Sequence, residues 1–320
     1  MKKKRFLLLS ILVLTACMPS GGTETPLPPT LPVTLTPAFS QPTTTPPIGS
    51  PTEIPSQPTV AITAPTATLA AVSPPPVTGI HNPYAVVLVQ PNDVLNVRTG
   101  AGVENAIAGT LQPEASGVNR TGPASSAGGD RWVEIQNPGG WVNAKFLTEY
   151  VAPSAFCVDT RVADLLNSLE TAVLTSNDDL FGSLVSPAHG LDARLWRYGA
   201  VANYTPEEAS WVFQSDYVVV WGPAPGSGEE TMGTFNTEIL PKLQEVFGAD
   251  YALHCKDTLD LATFSLEPWP PEYTNINFYT VYKPGTGQYG GLDWRAWIVG
   301  VEYLQGQPTL FALIHFQWEP

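Results

Sequence analysis

Leu95-Asn96-Val97-Arg98-Thr99-Gly100-Ala101-Gly102 is the stretch from which the first folded part of the chain can be read. Leu95 and Val97 alternate with Asn96 and Arg98, the period of a strand with one buried face, and Gly100 and Gly102 mark the turn after it. The alternation returns at Ile107-Ala108-Gly109-Thr110-Leu111, at Arg131-Trp132-Val133-Glu134-Ile135 and at Gly140-Trp141-Val142. Upstream, Ala85-Val86-Val87-Leu88-Val89 is a β-prone run bounded by Pro83 and Pro91. Short strands punctuated by glycine predict a small all-β barrel over residues 81–150.

Toward the C-terminus the pattern changes. Val162, Leu165, Leu166, Leu169 and Val173 recur at helical spacing after Asp159, a good N-cap, which predicts a helix to about Thr175. Thr205-Pro206-Glu207-Glu208 opens a second helix, and a third is expected over 234–247 with a kink or break at Pro241. Strands are expected at 192–198, 217–221, 276–282, 294–303 and 309–318. Helices first and a long hairpin last predict an α+β domain over 155–320 with an antiparallel sheet, and suggest the cone shape of nuclear-transport-factor-2-like folds.

Toward the N-terminus no core can form. Residues 18–78 hold 16 of the 33 prolines and 14 threonines, with no basic residue, so 18–80 reads as a disordered Pro/Thr-rich stalk. Before it, Lys2-Lys3-Lys4-Arg5 and the apolar run 6–18 have the layout of a secretory signal, too short for a membrane span. Within that run, Leu14-Thr15-Ala16-Cys17 resembles a bacterial lipobox. The resemblance implies cleavage of residues 1–17 at the lipobox and acylation of Cys17, which would anchor the chain in membrane lipid on the extracytoplasmic side. An ordinary signal cut nearby, leaving a free thiol, is the alternative.

The chain carries 15 Lys and Arg against 29 Asp and Glu, and four of the basic residues lie in the signal. That balance repels nucleic acid and suits a solvated exported surface, with a site for a cation or a basic partner as the alternative. Besides Cys17 only Cys157 and Cys255 are present, an even pair that an oxidising compartment allows to bridge, with two separate buried thiols as the alternative.

LNVRTGAG, IAGTL, RWVEIQ and GGWVNAKFL, in that order, resemble the bacterial SH3-like (SH3b) domain over about residues 84–150. The run Ala115–Arg120 departs from the family pattern at the middle strand. The resemblance implies peptidoglycan as partner, with Trp132 and Trp141 at the family's tryptophan positions as candidate ligand contacts or, alternatively, core residues. The closing sequence GGLDWRAWIVGVEYLQGQPTLFALIHFQWEP, with SPAHG and WGPAPGSGEE, resembles a C-terminal domain of uncharacterised bacterial surface proteins, which brings no activity with it.

A wall-associated chain invites a search for hydrolase machinery. His189, His254 and His315 follow Cys157, but Ala155-Phe156 and Val158 give that cysteine an apolar setting, and Cys255 adjoins His254, although adjacent residues on a strand face oppositely. His-Glu-x-x-His and Cys-x-x-Cys motifs are lacking, so neither a metal nor a cofactor is expected. The leading expectation is a non-enzymatic envelope lipoprotein that binds or scaffolds; a peptidoglycan hydrolase with 155–320 catalytic is the alternative. Finally, a four-residue turn Gln305-Gly306-Gln307-Pro308 would place Trp294, Ala296, Ile298, Gly300 and Glu302 on one face with Thr309, Phe311, Leu313, His315 and Gln317. Trp294, His315 and Gln317 around a gap left by Gly300 are then a candidate ligand site, against a merely hydrogen-bonded His315.

Overall fold

The computed structural model describes residue 81, residues 83–261 and residues 268–319, all within one compact unit. The signal, Cys17 and the 18–80 stalk lie outside the described residues. The first part holds eight short strands: β1 (Tyr84–Val86), β2 (Leu95–Arg98), β3 (Ile107–Leu111), β4 (Ser116–Val118), β5 (Ser125–Ala127), β6 (Asp130–Ile135), β7 (Gly140–Asn143) and β8 (Leu147–Glu149). They form a five-stranded sheet in the order β3-β2-β7-β6-β5 and a three-stranded sheet in the order β4-β1-β8. The ladder does not close into the expected barrel. Instead both sheets contribute to one apolar core, with Val86 and Leu147 from one meeting Val97, Val133, Ile135 and Val142 from the other. In the turn after β2, Gly102 takes φ +118 and the Arg98 guanidinium donates to the Asn105 carbonyl at 2.7 Å, which ties the two ends of the turn together.

The second part begins with helices α1 (Pro153–Phe156), α2 (Thr160–Leu174) and α3 (Asp178–Leu184). Asp159 caps α2 by accepting from the Arg161 backbone N–H, and the residues at helical spacing, Val162 to Val173, are buried. Short α4 (Pro206–Ala209) opens with a full capping box between Thr205 and Glu208. At Pro241 the expected interruption takes the form of a π-turn, Phe235–Ile239, which leads into α5 (Leu240–Phe247). Pro241 thereby sits in the first turn of α5, where its missing N–H is not needed.

Six strands, β9 (Leu191–Arg194), β10 (Ala202–Tyr204), β13 (Ala252–Cys255), β14 (Asn277–Lys283), β15 (Arg295–Leu304) and β16 (Gln307–Gln317), form a sheet in the order β10-β9-β16-β15-β14-β13. β11 (Val219–Pro223) and β12 (Glu230–Gly233) form a separate hairpin. The sheet is mixed rather than purely antiparallel, because β9 runs parallel to β16. One face, including Trp297, Val299 and Leu313, packs on the helices. The other, including Ile298, Phe311, Ala312 and Ile314, packs on Trp269, Tyr273 and Val87, the last from the first part of the chain. Cys157 and Cys255, 98 positions apart, are joined in a disulfide that ties the end of α1 to β13.

The β15–β16 register departs from expectation. Leu304 pairs with Gln307, so the turn is only Gln305-Gly306, both at positive φ as a tight two-residue hairpin requires. Close to the turn Glu302 opposes Thr309, with the expected parity. Between Gly300 and Val301 the register then shifts, and beyond it Gly300 opposes Ala312 and Trp297 opposes His315. A bulge moves every later side chain to the other face. His315 therefore lies with Trp297 and Val299 on the helix side, not with Trp294, Ala296 and Ile298.

Candidate functional site

The two parts of the unit are joined by polar bonds as well as by Val87. The Asn275 side-chain amide donates to the Val86 carbonyl at 2.8 Å, and that of Asn277 donates to the Val151 carbonyl at 2.8 Å. Glu149 at the end of β8 accepts both backbone N–H groups of the hairpin turn, Gln305 at 2.7 Å and Gly306 at 2.8 Å. At the centre of this seam His189 Nδ1 lies 2.7 Å from a Glu302 carboxylate oxygen, and His189 Nε2 lies 3.0 Å from the Lys145 carbonyl. Thr148 donates to the same carboxylate at 3.1 Å. Both imidazole nitrogens face acceptors, so the geometry favours the doubly protonated ring. Burial opposes that charge, but the Glu302 carboxylate and the Lys145 carbonyl outweigh it and raise the His189 pKa. The adjoining cavity, lined by Tyr84, Arg120, Glu149, His189 and Glu302, is about 110 Å³. That is small beside the roughly 300–1,000 Å³ of ordinary ligand pockets, so the cluster acts as a buried clamp between the two parts.

The outer face of the five-stranded sheet is different. Val133, Ile135, Val97 and Val142 point into the core, so by strand alternation Trp132, Glu134, Trp141, Asn143, Asn96 and Arg98 point away from it. Trp132 is nonetheless a buried core side chain, 3% exposed, which corrects its candidacy as a ligand contact, whereas Trp141 is only partly covered. The Trp132 indole N–H donates to the Ala127 carbonyl at 3.3 Å, which satisfies its polar atom within the protein. A groove of about 260 Å³ runs along this face, lined by Trp132, Asp93, Asn96, Arg98, Asn143 and Phe146. Trp141 is not among the residues that line the groove; it opposes Arg98, which is, in the ladder.

The candidate site on the terminal hairpin does not assemble. Trp294 packs against Tyr282 on one side of the sheet, whereas His315 stacks near Trp297 on the other, so the two cannot flank one opening. The gap expected above Gly300 is filled by the Trp269 ring; a Cβ at position 300 would sit 2.8 Å from it. Gln317 opposes Arg295 at the far end of the hairpin. His315 is 1% exposed with Nδ1 3.3 Å from the Leu195 carbonyl, and burial, with Lys242 adding to it, lowers its pKa to about 3. It is a neutral core histidine.

The residues considered for hydrolysis are likewise dispersed. Cys157 and Cys255 are consumed by their disulfide, so neither offers a thiolate. His189 is committed to Glu302, and His254 lies on β13 with its ring against Tyr282. Among the described residues no group of three or more His, Cys, Asp and Glu is placed to hold a metal ion, and no helix is long and apolar enough to cross a membrane.

A further cavity, which the sequence did not announce, lies beside β10 and α4. It has a volume of about 380 Å³, and its walls include Tyr204, Glu208, Trp211 and Tyr217. Trp211 is 50% exposed and Tyr217 70% exposed. The only local signal is an aromatic residue just after a capped single-turn helix, and nothing in the alternation separates it from a core position. Set against known proteins, the chain matches no family model, no curated protein and no solved structure.

Proposed function

We propose that the chain is a non-enzymatic cell-envelope lipoprotein, held in membrane lipid by acylated Cys17, whose SH3b-like first part binds peptidoglycan. The observation that supports this most is the outer face of the five-stranded sheet, where the partly exposed Trp141 lies next to Arg98, a lining residue of a groove with both apolar and polar walls. Asp93 and Arg98 on that groove complement the charged amine and carboxylate groups of short wall peptides, and the Trp141 ring beside Arg98 adds apolar contact. The SH3b resemblance of residues 84–150 agrees with this use. The two open sheets are read here as a variant of that barrel. A tether through Cys17 and the stalk would keep even a weak binder engaged by raising its effective concentration at the wall. The polar seam makes the second part a rigid extension of the binding part, so it works as a presented surface and not as an independently swinging domain.

The test is sedimentation of the full chain carrying Cys17→Ser with purified peptidoglycan at low salt. Co-sedimentation is expected, with a large loss in Trp141→Ala at unchanged melting temperature. A chain that stays in the supernatant at low salt rejects the wall-binding reading. Mass spectrometry of the wild-type chain from bacterial membranes separately checks the acyl group on Cys17.

A further inference from the structure

The cavity beside β10 and α4 has a composition that points to one kind of ligand. Three aromatic rings, Tyr204, Trp211 and Tyr217, and one carboxylate, Glu208, line it, and no lysine, arginine or histidine is among its lining residues. Aromatic faces carry negative potential and attract cations, most strongly where water is partly excluded. From the structure we infer that Tyr204, Trp211, Tyr217 and Glu208 form a binding site for a quaternary ammonium group.

Each wall of the cavity has a local reason. β10 ends at Tyr204, which packs edge-on against buried Phe235 and is thereby fixed in place. Thr205 starts the capping box, so Glu208 is held at a set position with one carboxylate oxygen 2.9 Å from the Thr205 backbone N–H. One turn onward Trp211 emerges half-exposed, while Val212 beside it is buried and anchors the segment. Ser215 accepts from the Tyr217 N–H at 3.1 Å, which shapes the bend that carries Tyr217 into the lining. Burial, then the neighbouring Tyr217 and Glu208, raise the Tyr204 pKa, so its ring remains a neutral phenol.

The choice of a quaternary over a primary ammonium follows from the acceptors. A primary ammonium brings three N–H donors that need three partners. Here the one lining carboxylate is already partly used in the cap, and of the other two polar non-aromatic side chains on the lining, Asn203 and Ser215, the Ser215 hydroxyl already accepts from the Tyr217 N–H, so three well-placed acceptors are not on offer. A methylated ammonium has no N–H to satisfy and is matched by π faces and a nearby negative charge. The volume of about 380 Å³ also exceeds what a bare metal ion would need and suits a small organic cation.

The experiment is calorimetric titration of the full chain, in a detergent without an ammonium headgroup, with choline, its neutral isostere 3,3-dimethylbutan-1-ol, and n-butylammonium. Saturable binding of choline is expected, with the neutral isostere weaker by about tenfold or more. Glu208→Gln keeps the cap hydrogen bond while removing the charge, and Trp211→Leu removes a half-exposed ring. Each should weaken choline by about tenfold with the melting temperature unchanged. Equal affinity for choline and the isostere, absence of saturable choline binding, or tighter binding of n-butylammonium than of choline would each overturn the assignment. The isostere comparison uses the wild-type chain and so does not depend on any variant folding.

Discussion

His189 and Glu302, 113 positions apart, meet at 2.7 Å with side-chain exposures of 4% and 1%, and the carboxylate also accepts from Thr148 of the first part. One buried carboxylate therefore holds a loop of the second part and a strand of the first.

Removing that carboxylate leaves His189 buried without its counter-charge. Glu302→Ala should cost roughly 3–5 kcal/mol, as for other broken buried pairs. The pH dependence has a definite sign. The His189 pKa is raised above 6.5, so the stability it contributes is complete below pH 6.5 and is lost as pH rises through its folded value. Urea titrations across that range should show wild-type stability falling on the alkaline side. A wild-type slope matched by that of Glu302→Ala would show that the pair is not charged.

Reduction of the Cys157–Cys255 bridge should also be measurable. The two cysteines are 98 positions apart, and the chain-entropy model assigns a loop of that size about 4–5 kcal/mol. The double variant Cys157→Ser, Cys255→Ser should unfold at lower urea with Tyr279 and Phe156 still packed, since those rings meet beside the bridge with centroids 5.3 Å apart. An unchanged midpoint would mean that the unfolded chain is already constrained there.

What could be read from the sequence follows from how local each signal is. The Asp159 cap, the 3.6-residue spacing behind it, the helix start at Thr205-Pro206 and the break near Pro241 each rest on near neighbours in sequence, and each appears in the structure where the sequence placed it. The hairpin was located but misaligned. Both of its faces are apolar because one packs on the helices and the other on Trp269 and Val87, so alternation could not reveal the shift at Gly300. The His189–Glu302 clamp and the Tyr204, Trp211, Tyr217 cavity unite residues from different segments, and no spacing rule connects them.

Gly300 offers a test of the corrected hairpin. A methyl group there would lie 2.8 Å from the Trp269 ring and 3.1 Å from the Ala312 Cβ. Gly300→Ala should destabilise by about 1–3 kcal/mol through overpacking. Trp269→Leu in the same chain should recover part of that loss, because the two sites share one space. Had Gly300 opened onto a ligand site, the alanine would be nearly silent.

His315 makes the last prediction, and its sign is opposite to that of His189. The ring is enclosed by Trp297, Trp196 and the Leu195 carbonyl, with Lys242 and Arg295 adding positive potential, and its pKa falls to about 3 from 6.5. Between those two values the unfolded chain binds a proton that the folded chain refuses. Stability should therefore fall by up to about 1.4 kcal/mol for each pH unit below 6.5, in addition to any change from carboxylates. Nε2 is buried without a hydrogen-bond partner among the described residues, so His315→Phe gives up no bond on that side. The variant should lie within about 1.5 kcal/mol of wild type at pH 7 and be less sensitive to acid. Urea midpoints of both chains at pH 7 and pH 4.5 decide it: the gap between them should shift in favour of the phenylalanine as pH falls. A gap that stays constant would mean that His315 is protonated in the folded state, which the enclosure described above does not allow.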